Sequence, residues 1–457
     1  MDIIPNFIVY SKIHDNNYLY YNYETKEFNI SFHLPININS FFLPKSYLKT
    51  KEIKKIKKIK DIEKRRELHT KYLYNTLPKY ANQLVTDVKD LYKLHGFNYF
   101  DNDYKFSNGN IFYRSHATNV VTFFKRYTKK ELYENFESVY YDEYKNWTKC
   151  YNSGLMYLKK KGIYNNCFGY DYKMFYGINM KKLNFHMATE KGEYAIIKEF
   201  PKSHYAKHGK ANIKNPYMLP IQYGIYHVKI ISNDPLLNTK FMFSKYHWYT
   251  SYSICQILKY IDKGKHGITL EIVQDGKANA YLYDDTKLVV GFDIFHKWAN
   301  KLITIKENCK NSITKMLASS GWGHLQDVKT IYCNQDQFDT ICDNGYTISA
   351  NIDKEPDYFI HNFDMKGEDQ VRMYELIDIS KPVYKLPLRL LPFITSYSRC
   401  RMASVIDYYN LEEHVIRIHT DGIVLNKECN FSDKDLIAED KTTGNIEFKN
   451  VNDYDKI

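Results

Sequence analysis

The chain has no stretch approaching about eighteen consecutive apolar residues, the length a membrane-spanning helix needs, so no membrane role is expected. Its start, Met1-Asp2-Ile3-Ile4-Pro5, carries neither a basic n-region nor a small-residue cleavage site, and secretion is not expected either. The eight cysteines, at 150, 167, 255, 309, 333, 342, 400 and 429, never form a CxxC pair. That argues against a zinc site or a disulfide framework, and for inert thiols in a reducing, intracellular compartment. Internal repeats and low-complexity linkers are also missing. What is present is a globular composition, 457 residues with 44% apolar and 26% charged, enough for two or three domains. Lys and Arg number 65 against 53 Asp and Glu, a net charge of +12 that would suit a polyanion without choosing one. The 44 tyrosines, with abundant Lys, Asn and Ile, read first as the product of an AT-rich coding sequence and only second as base-stacking groups.

The region 1–145 holds one charge run, Lys51 to Arg66, in which Ile53, Ile56, Ile59 and Ile62 recur every third residue. This predicts a helix with a drifting apolar stripe and a solvated basic face, with DNA contact as the secondary reading. Beyond Asn146, β-branched and aromatic runs predict strands at 167–170, 226–231, 288–292 and 415–418. The segment 295–317, free of Pro and Gly, predicts one long helix through Leu302, Ile305, Cys309, Ile313, Met316 and Leu317.

Two acids stand at strand ends. Cys167-Phe168-Gly169-Tyr170-Asp171 is a short apolar strand that delivers an aspartate to a loop, where a metal could be held beside open space. Val415 to Leu425 consists of two apolar runs around His419-Thr420-Asp421-Gly422, a hairpin signal that puts Asp421 at a tight turn. Seen singly, each reads first as a turn aspartate satisfied by its own backbone. The order of five segments changes that: Tyr151-Asn152-Ser153-Gly154, the Asp171 strand with Tyr176, Lys315 to Gly323, Thr395-Ser396-Tyr397-Ser398-Arg399, and the Asp421 turn.

In that order the segments resemble the family B DNA polymerases, most closely the protein-primed branch of viruses and linear plasmids. The resemblance spans about 151–425 and lies in motif order and spacing. It implies that Asp171 is the motif A aspartate (DxxSLYP) and Asp421 the second aspartate of motif C (DTDS), together the catalytic and metal-binding pair. It also implies that Tyr176 excludes a ribose 2′-hydroxyl. Lys315 and Ser320 match motif B (KxxxNSxYG) and would meet the incoming triphosphate, with Lys301 or Lys306 as a second fingers lysine. Tyr151 and Gly154 resemble the YxGG element and Thr395 with Arg399 the Tx2GR element, both DNA-contacting, while Trp322 offers a stacking face. Lys449, in the strand-like 446–449, corresponds to the KxY lysine near the primer terminus.

The fold so implied is α+β: a polymerase palm, an antiparallel sheet with helices, plus helical fingers and an N-terminal α/β region. The expected division is 1–145 in the place of the exonuclease, 146–294 for the first part of the palm with an insertion, 295–325 for fingers, and 326–457 for a second insertion and the remaining palm. The implied activity is DNA-directed DNA polymerase, template-dependent nucleotidyl transfer from dNTPs with two Mg2+ ions, Mn2+ being a substitute. Template-primer DNA and dNTPs would be its partners, with a terminal-protein primer or a separate exonuclease subunit as further ones. Departures are clear. Gly177 stands for Pro in motif A, Ser319 for Asn and Trp322 for Tyr in motif B, and His419 for the first aspartate of motif C. Asp61-Ile62-Glu63 has the form of an exonuclease DxE but sits in a helical run, and Asp87, Asp90, Asp101 and Asp103 have no strand context either. No editing activity is therefore expected. Only 36 residues follow Asp421, which argues against a full thumb. A catalytically silent DNA-binding relic is the alternative, and a metal-dependent nuclease a poorer third reading because it leaves Lys315 and Tyr176 unexplained.

Overall fold

The computed structural model describes residues 7–13, 17–31, 39–42, 51–95, 116–150, 152–204, 219–308, 317–318, 321–351, 354–364, 373–432, 436–438, 444–452 and 454–456. First come β1 (Phe7–Lys12), β2 (Tyr18–Asn22) and β3 (Phe28–Ser31), an antiparallel meander, and β4 (Asn39–Phe42), which joins β1 in parallel. The lysine-rich run is two helices, α1 (Lys51–Lys57) and α2 (Ile62–His95). They break where Asp61 caps α2 by accepting from the Lys64 N–H at 3.1 Å. The isoleucines accordingly do not hold one face, for Ile53 is buried and Ile62 is 53% exposed. Leu73, Leu77, Leu84 and Val88 keep helical spacing along α2 and share a core with Phe7, Val9, Leu19 and Tyr21.

Two helices, α3 (His116–Tyr127) and α4 (Tyr141–Cys150), lead to the first strands of a central sheet, β5 (Met156–Leu158) and β6 (Gly162–Tyr172), and to the short α5 (Phe175–Met180). An insertion follows in the order β7 (His186–Ala188), β8 (Glu193–Ala195), β9 (Gly224–Ile231), β10 (Trp248–Thr250), α6 (Ser251–Asp262), β11 (Thr269–Ile272), β12 (Ala280–Leu282) and β13 (Leu288–Val290). β7 pairs with β13, and the five strands between them form one sheet against which Ile254 and Ile257 of α6 pack. Next, α7 (Gly291–Asn308) lies against α5. It starts earlier than the sequence suggests and cuts the expected 288–292 strand short at Val290. A Cβ on Gly291 would stand 2.1 Å from the Met180 carbonyl oxygen, so glycine alone permits this close start. Of the rest of the expected 295–317 helix, 309–316 lie outside the described residues, and 317–318 are helical.

A second insertion, β14 (Ile331–Asn334), α8 (Gln335–Asp343), β15 (Ile348–Ser349), β16 (Tyr358–Asp364) and β17 (Met373–Asp378), forms a four-stranded sheet. The long α9 (Phe393–Tyr408) then returns to the central sheet. That sheet is completed by β18 (Val415–His419), β19 (Gly422–Leu425), β20 (Leu436–Ala438), β21 (Gly444–Phe448) and β22 (Tyr454–Lys456). Every pairing in it is antiparallel, with β19 on one edge of β6 and β20 and β21 on the other. Alternation along the strands separates its faces. Tyr170, Tyr172, Ile423 and Leu425 pack on Met402 and Ile406 of α9, while Val424 and Ile416 join Phe448 on the other side. Among the described residues no helix is long and apolar enough to cross a membrane. Cys150, Cys167 and Cys333 are buried, and burial pushes the Cys255 and Cys400 thiols up to about 12, which keeps them protonated.

One buried ion pair ties the layers together. Arg389 is fully buried and donates through Nε to Glu143 Oε1 at 2.9 Å and through Nη1 to the Glu137 and Thr189 carbonyls at 2.7 and 3.3 Å. Sequence reading passed over it, although a lone arginine among Leu386, Leu388, Leu390 and Leu391 was a visible signal. Arg389→Ala would leave the Glu143 carboxylate buried and unpaired. Urea denaturation should show a loss on the order of 3–5 kcal/mol. Arg389→Lys should recover only part, since an ammonium lacks the fork that reaches the Glu143 carboxylate and the Glu137, Ser138 and Thr189 carbonyls together.

Candidate active site

Positions 171 and 421, 250 residues apart, meet at the end of the central sheet. Gly422 is the register partner of Asp171, and the Tyr172 N–H donates to the Asp421 carbonyl at 3.0 Å. The turn that carries Asp421 is tight: Thr420 adopts φ 62°, and the Asp421 N–H donates to the His419 carbonyl at 2.8 Å. Asp171 takes the face opposite Tyr170 and Tyr172, away from α9. On that face its neighbour is the bare backbone of Gly422, where an added Cβ would lie 3.3 Å from Asp171 Oδ1. His419 pairs with Gly422 and so shares the face one strand further on. The side of Asp171 that faces β19 thus carries no side chain, while Ile437 of β20 is its register partner on the other edge.

A bracket of backbone contacts fixes the turn. The Thr420 N–H donates to the Leu155 carbonyl at 2.9 Å, and Gly154 lies so close that a Cβ there would come within 2.6 Å of Thr420 Cγ2. Arg399 of α9, 5% exposed, donates through Nη1 to the Asn152 and Ser153 carbonyls at 2.9 and 2.7 Å. The two sequence elements expected to touch DNA are therefore joined to each other, with Arg399 holding the 152–154 segment under the hairpin. Thr395 is fully buried, its hydroxyl donating to the Pro392 carbonyl at 2.8 Å, and presents no surface to a ligand in this conformation. Arg401, also missed from sequence, places its guanidinium 4.7 Å over the Tyr172 ring and donates to Asn179 Oδ1 at 2.7 Å, bracing α5 from behind.

Tyr176, on α5 just past Asp171, stacks on Trp322 with ring centroids 4.0 Å apart and an interplanar angle of 28°. Two residues chosen from separate motifs thus form one half-buried aromatic pair. α7 is anchored to α5 by Lys181 donating to Asn300 Oδ1 at 2.7 Å and by the exposed Lys173–Glu307 pair at 3.7 Å. The Lys301 ammonium sits 5.8 Å from the Tyr127 ring centre. Lys306 leaves the helix in a direction about 140° away, so the two lysines do not share a face. Lys315, Ser320 and Tyr151 lie outside the described residues. Lys449 is not brought to the aspartates. β21 runs antiparallel to β6 with Phe448 opposite Gly162, so Lys449 stands at the far end of β6, about 30 Å from Asp171 at ~3.3 Å per residue. There it faces Glu447 at 3.7 Å. The strand-like reading of 446–449 holds as far as Phe448, where β21 ends, but the direction of the strand carries the lysine away.

The donor set suits a hard divalent cation. Among the described residues no three His, Cys, Asp or Glu side chains gather as a metal cluster. Asp171 and Asp421 are the residues here that could hold a cation such as Mg2+, which takes one or two carboxylates and fills its shell with water and phosphate oxygens.

No protein-family model matches the chain, and no curated protein matches it. Among solved structures it is similar to Phi29 DNA polymerase in an orthorhombic crystal form, with TM-score 0.45 and 14% identity over 93% of this chain and 81% of the other. It is also similar to the same polymerase with primer-template DNA and incoming nucleotide substrates, with TM-score 0.46 and 14% identity over 94% and 82%. Likeness of that degree concerns the course of the backbone and not its chemistry.

Two glycines allow a test of this arrangement. Gly422→Ala should press on the Asp171 carboxylate and weaken Mn2+ binding, read by electron paramagnetic resonance, at least several-fold with little change in Tm. Gly154→Ala should instead cost about 1–3 kcal/mol in stability, because its Cβ strikes the hairpin turn itself.

Proposed function

We propose that the chain is a DNA-directed DNA polymerase that transfers deoxynucleotides to a primer terminus. The observation that carries this reading is that Asp171, from a distant part of the sequence, lies on β6 opposite the side-chain-free Gly422, directly beside the turn that carries Asp421. A pair of Mg2+ ions, when bound there, would stabilise the attacking and leaving oxygens of an in-line displacement. The chain's own groups hold the geometry. β6 and the hairpin fix the carboxylates, while Asn152 to Gly154 and Arg399 keep the turn from moving. The reaction joins the primer 3′-oxygen to the α-phosphorus and breaks its bond to the β-phosphate oxygen, and the 3′-hydroxyl proton passes to solvent. No side chain of tuned pKa is required for it.

In this reading Tyr176, clamped by Trp322, borders the sugar of the incoming nucleotide, and Lys315 and Ser320 with Lys306 or Lys301 face its phosphates. Gly154 and Tyr151 border the DNA. Thr395 and Arg399 act on DNA only through the segments they position. A terminal-protein primer and a separate exonuclease subunit are its further partners in this reading. Of the N-terminal acids, Asp61 is a helix cap, and Glu63, Asp87 and Asp90 lie on α2. Asp101 and Asp103 fall outside the described residues.

Primer extension decides the matter. Asp171→Asn and Asp421→Asn should each abolish incorporation, while primed-template affinity at fixed salt stays within about twofold, since little positive surface changes. A parent protein that binds primed template yet incorporates nothing with Mg2+ or Mn2+ would favour the DNA-binding relic. Tyr176→Ala should raise ribonucleotide use relative to deoxynucleotides, and Lys315→Ala should raise the nucleotide KM, with a loss of roughly 1–3 kcal/mol in kcat/KM. A 3′-mismatched primer incubated with Mg2+ and no nucleotides should keep its length.

A further inference from the structure

Away from the aspartates, a cleft of about 600 Å3 opens beside the start of α4. In a chain of net charge +12 its lining includes four carboxylates, Glu137, Asp142, Glu143 and Glu355, against one ammonium group, Lys191. Glu143 forms its floor, with a side chain 4% exposed. Oε1 accepts from Arg389 Nε at 2.9 Å and from the Tyr283 hydroxyl at 2.7 Å. Oε2 is buried and has no hydrogen-bond partner among the described residues. A carboxylate oxygen left so is costly, and it is the vacant half of what a bidentate donor would use.

The mouth is aromatic. Tyr140 and Tyr194 are 46% and 51% exposed, unusually open for large rings beside acids. Tyr194 is held in place by Asn146 Nδ2, which donates to its hydroxyl at 3.0 Å, and by an edge-to-face contact with Tyr281. At the rim the ammonium groups are loosely engaged: Lys191 Nζ lies 4.0 Å from Glu137 Oε1, whose other oxygen accepts from the Lys191 N–H at 2.7 Å, and the largely buried Lys145 lies 3.9 Å from the exposed Glu355.

We propose that this cleft binds a guanidinium group, an arginine side chain presented by a partner polypeptide. Acids around an aromatic mouth select a cation with an apolar or planar body. A guanidinium adds what an ammonium lacks, a flat face for the tyrosines and a fork of donors that can meet Glu143 Oε2 and a rim carboxylate together. The site is independent of any chemistry at Asp171 and Asp421, and its test uses no activity assay.

Calorimetric titration of the full chain with N-acetyl-L-arginine methylamide should give saturable binding. The citrulline analogue, of the same shape without the charge, should bind at least tenfold more weakly, and spermidine should bind more weakly than the arginine probe. Asp142→Asn combined with Glu355→Gln, and separately Tyr194→Ala, change exposed groups and should each weaken the arginine probe at least fivefold. Glu143→Gln should remove saturable binding, and because it touches the core its fold is checked by circular dichroism while the exposed variants carry the test. Equal binding of citrulline, tighter binding of spermidine, no saturation, or undiminished affinity in the exposed variants would each overturn the assignment.

Discussion

The register between β6 and β19 is the constraint on which the rest depends. A strand has two faces, and a slip of one residue exchanges them. With Gly422 opposite Asp171, Tyr170 and Tyr172 fall on the face that α9 covers and the aspartate on the opposite face. One residue out of register, the carboxylate would press into Met402 and Ile406 while a tyrosine took its place. The Tyr172–Asp421 backbone hydrogen bond, the left-handed Thr420 and the close fit of Gly154 under the turn all lock the same alignment. The hydrophobic pattern thus selects the register, and the chemistry inherits it.

Much of this was legible in the residues. The Asp171 strand and the Asp421 hairpin were readable because in each a mostly apolar run leads into a polar turn. Their pairing was readable only through the order of the motifs, since nothing local in either strand names its partner. The stack of Tyr176 on Trp322 was not foreseen, because it depends on how α5 and the 321–324 turn of helix approach each other in space. Lys449 failed for a directional reason: strand propensity reports that 446–448 is extended but not which way it runs along β6. Thr395 and Arg399 illustrate another limit, since motif likeness finds residues beside a site without telling whether they face a ligand or support the backbone that does.

The insertions are coupled to the central sheet by buried charge as much as by apolar contact. Lys240, fully buried, donates to Asp407 and Glu412 at 2.8 Å each, while Tyr260 donates to the other Asp407 oxygen at 2.8 Å. This joins the first insertion to the end of α9, as Arg389 joins α9's approach to α4. Each such joint gains little over an apolar one and loses much when half is removed, so it specifies where the insertions sit more than how strongly they adhere.

Both edges of β6 are occupied by strands that follow residue 421, namely β19, β20 and β21. During synthesis at about 5–20 residues per second, β6 therefore waits roughly 12–50 s after leaving the ribosome before its first neighbour along either edge exists. For that interval it is an eleven-residue strand with two open ladders, the configuration most exposed to wrong pairing. Gly162, Asn166 with its positive φ and Gly169 interrupt its regularity, and a nascent chain that cannot yet pair correctly benefits from a strand that also pairs poorly with strangers.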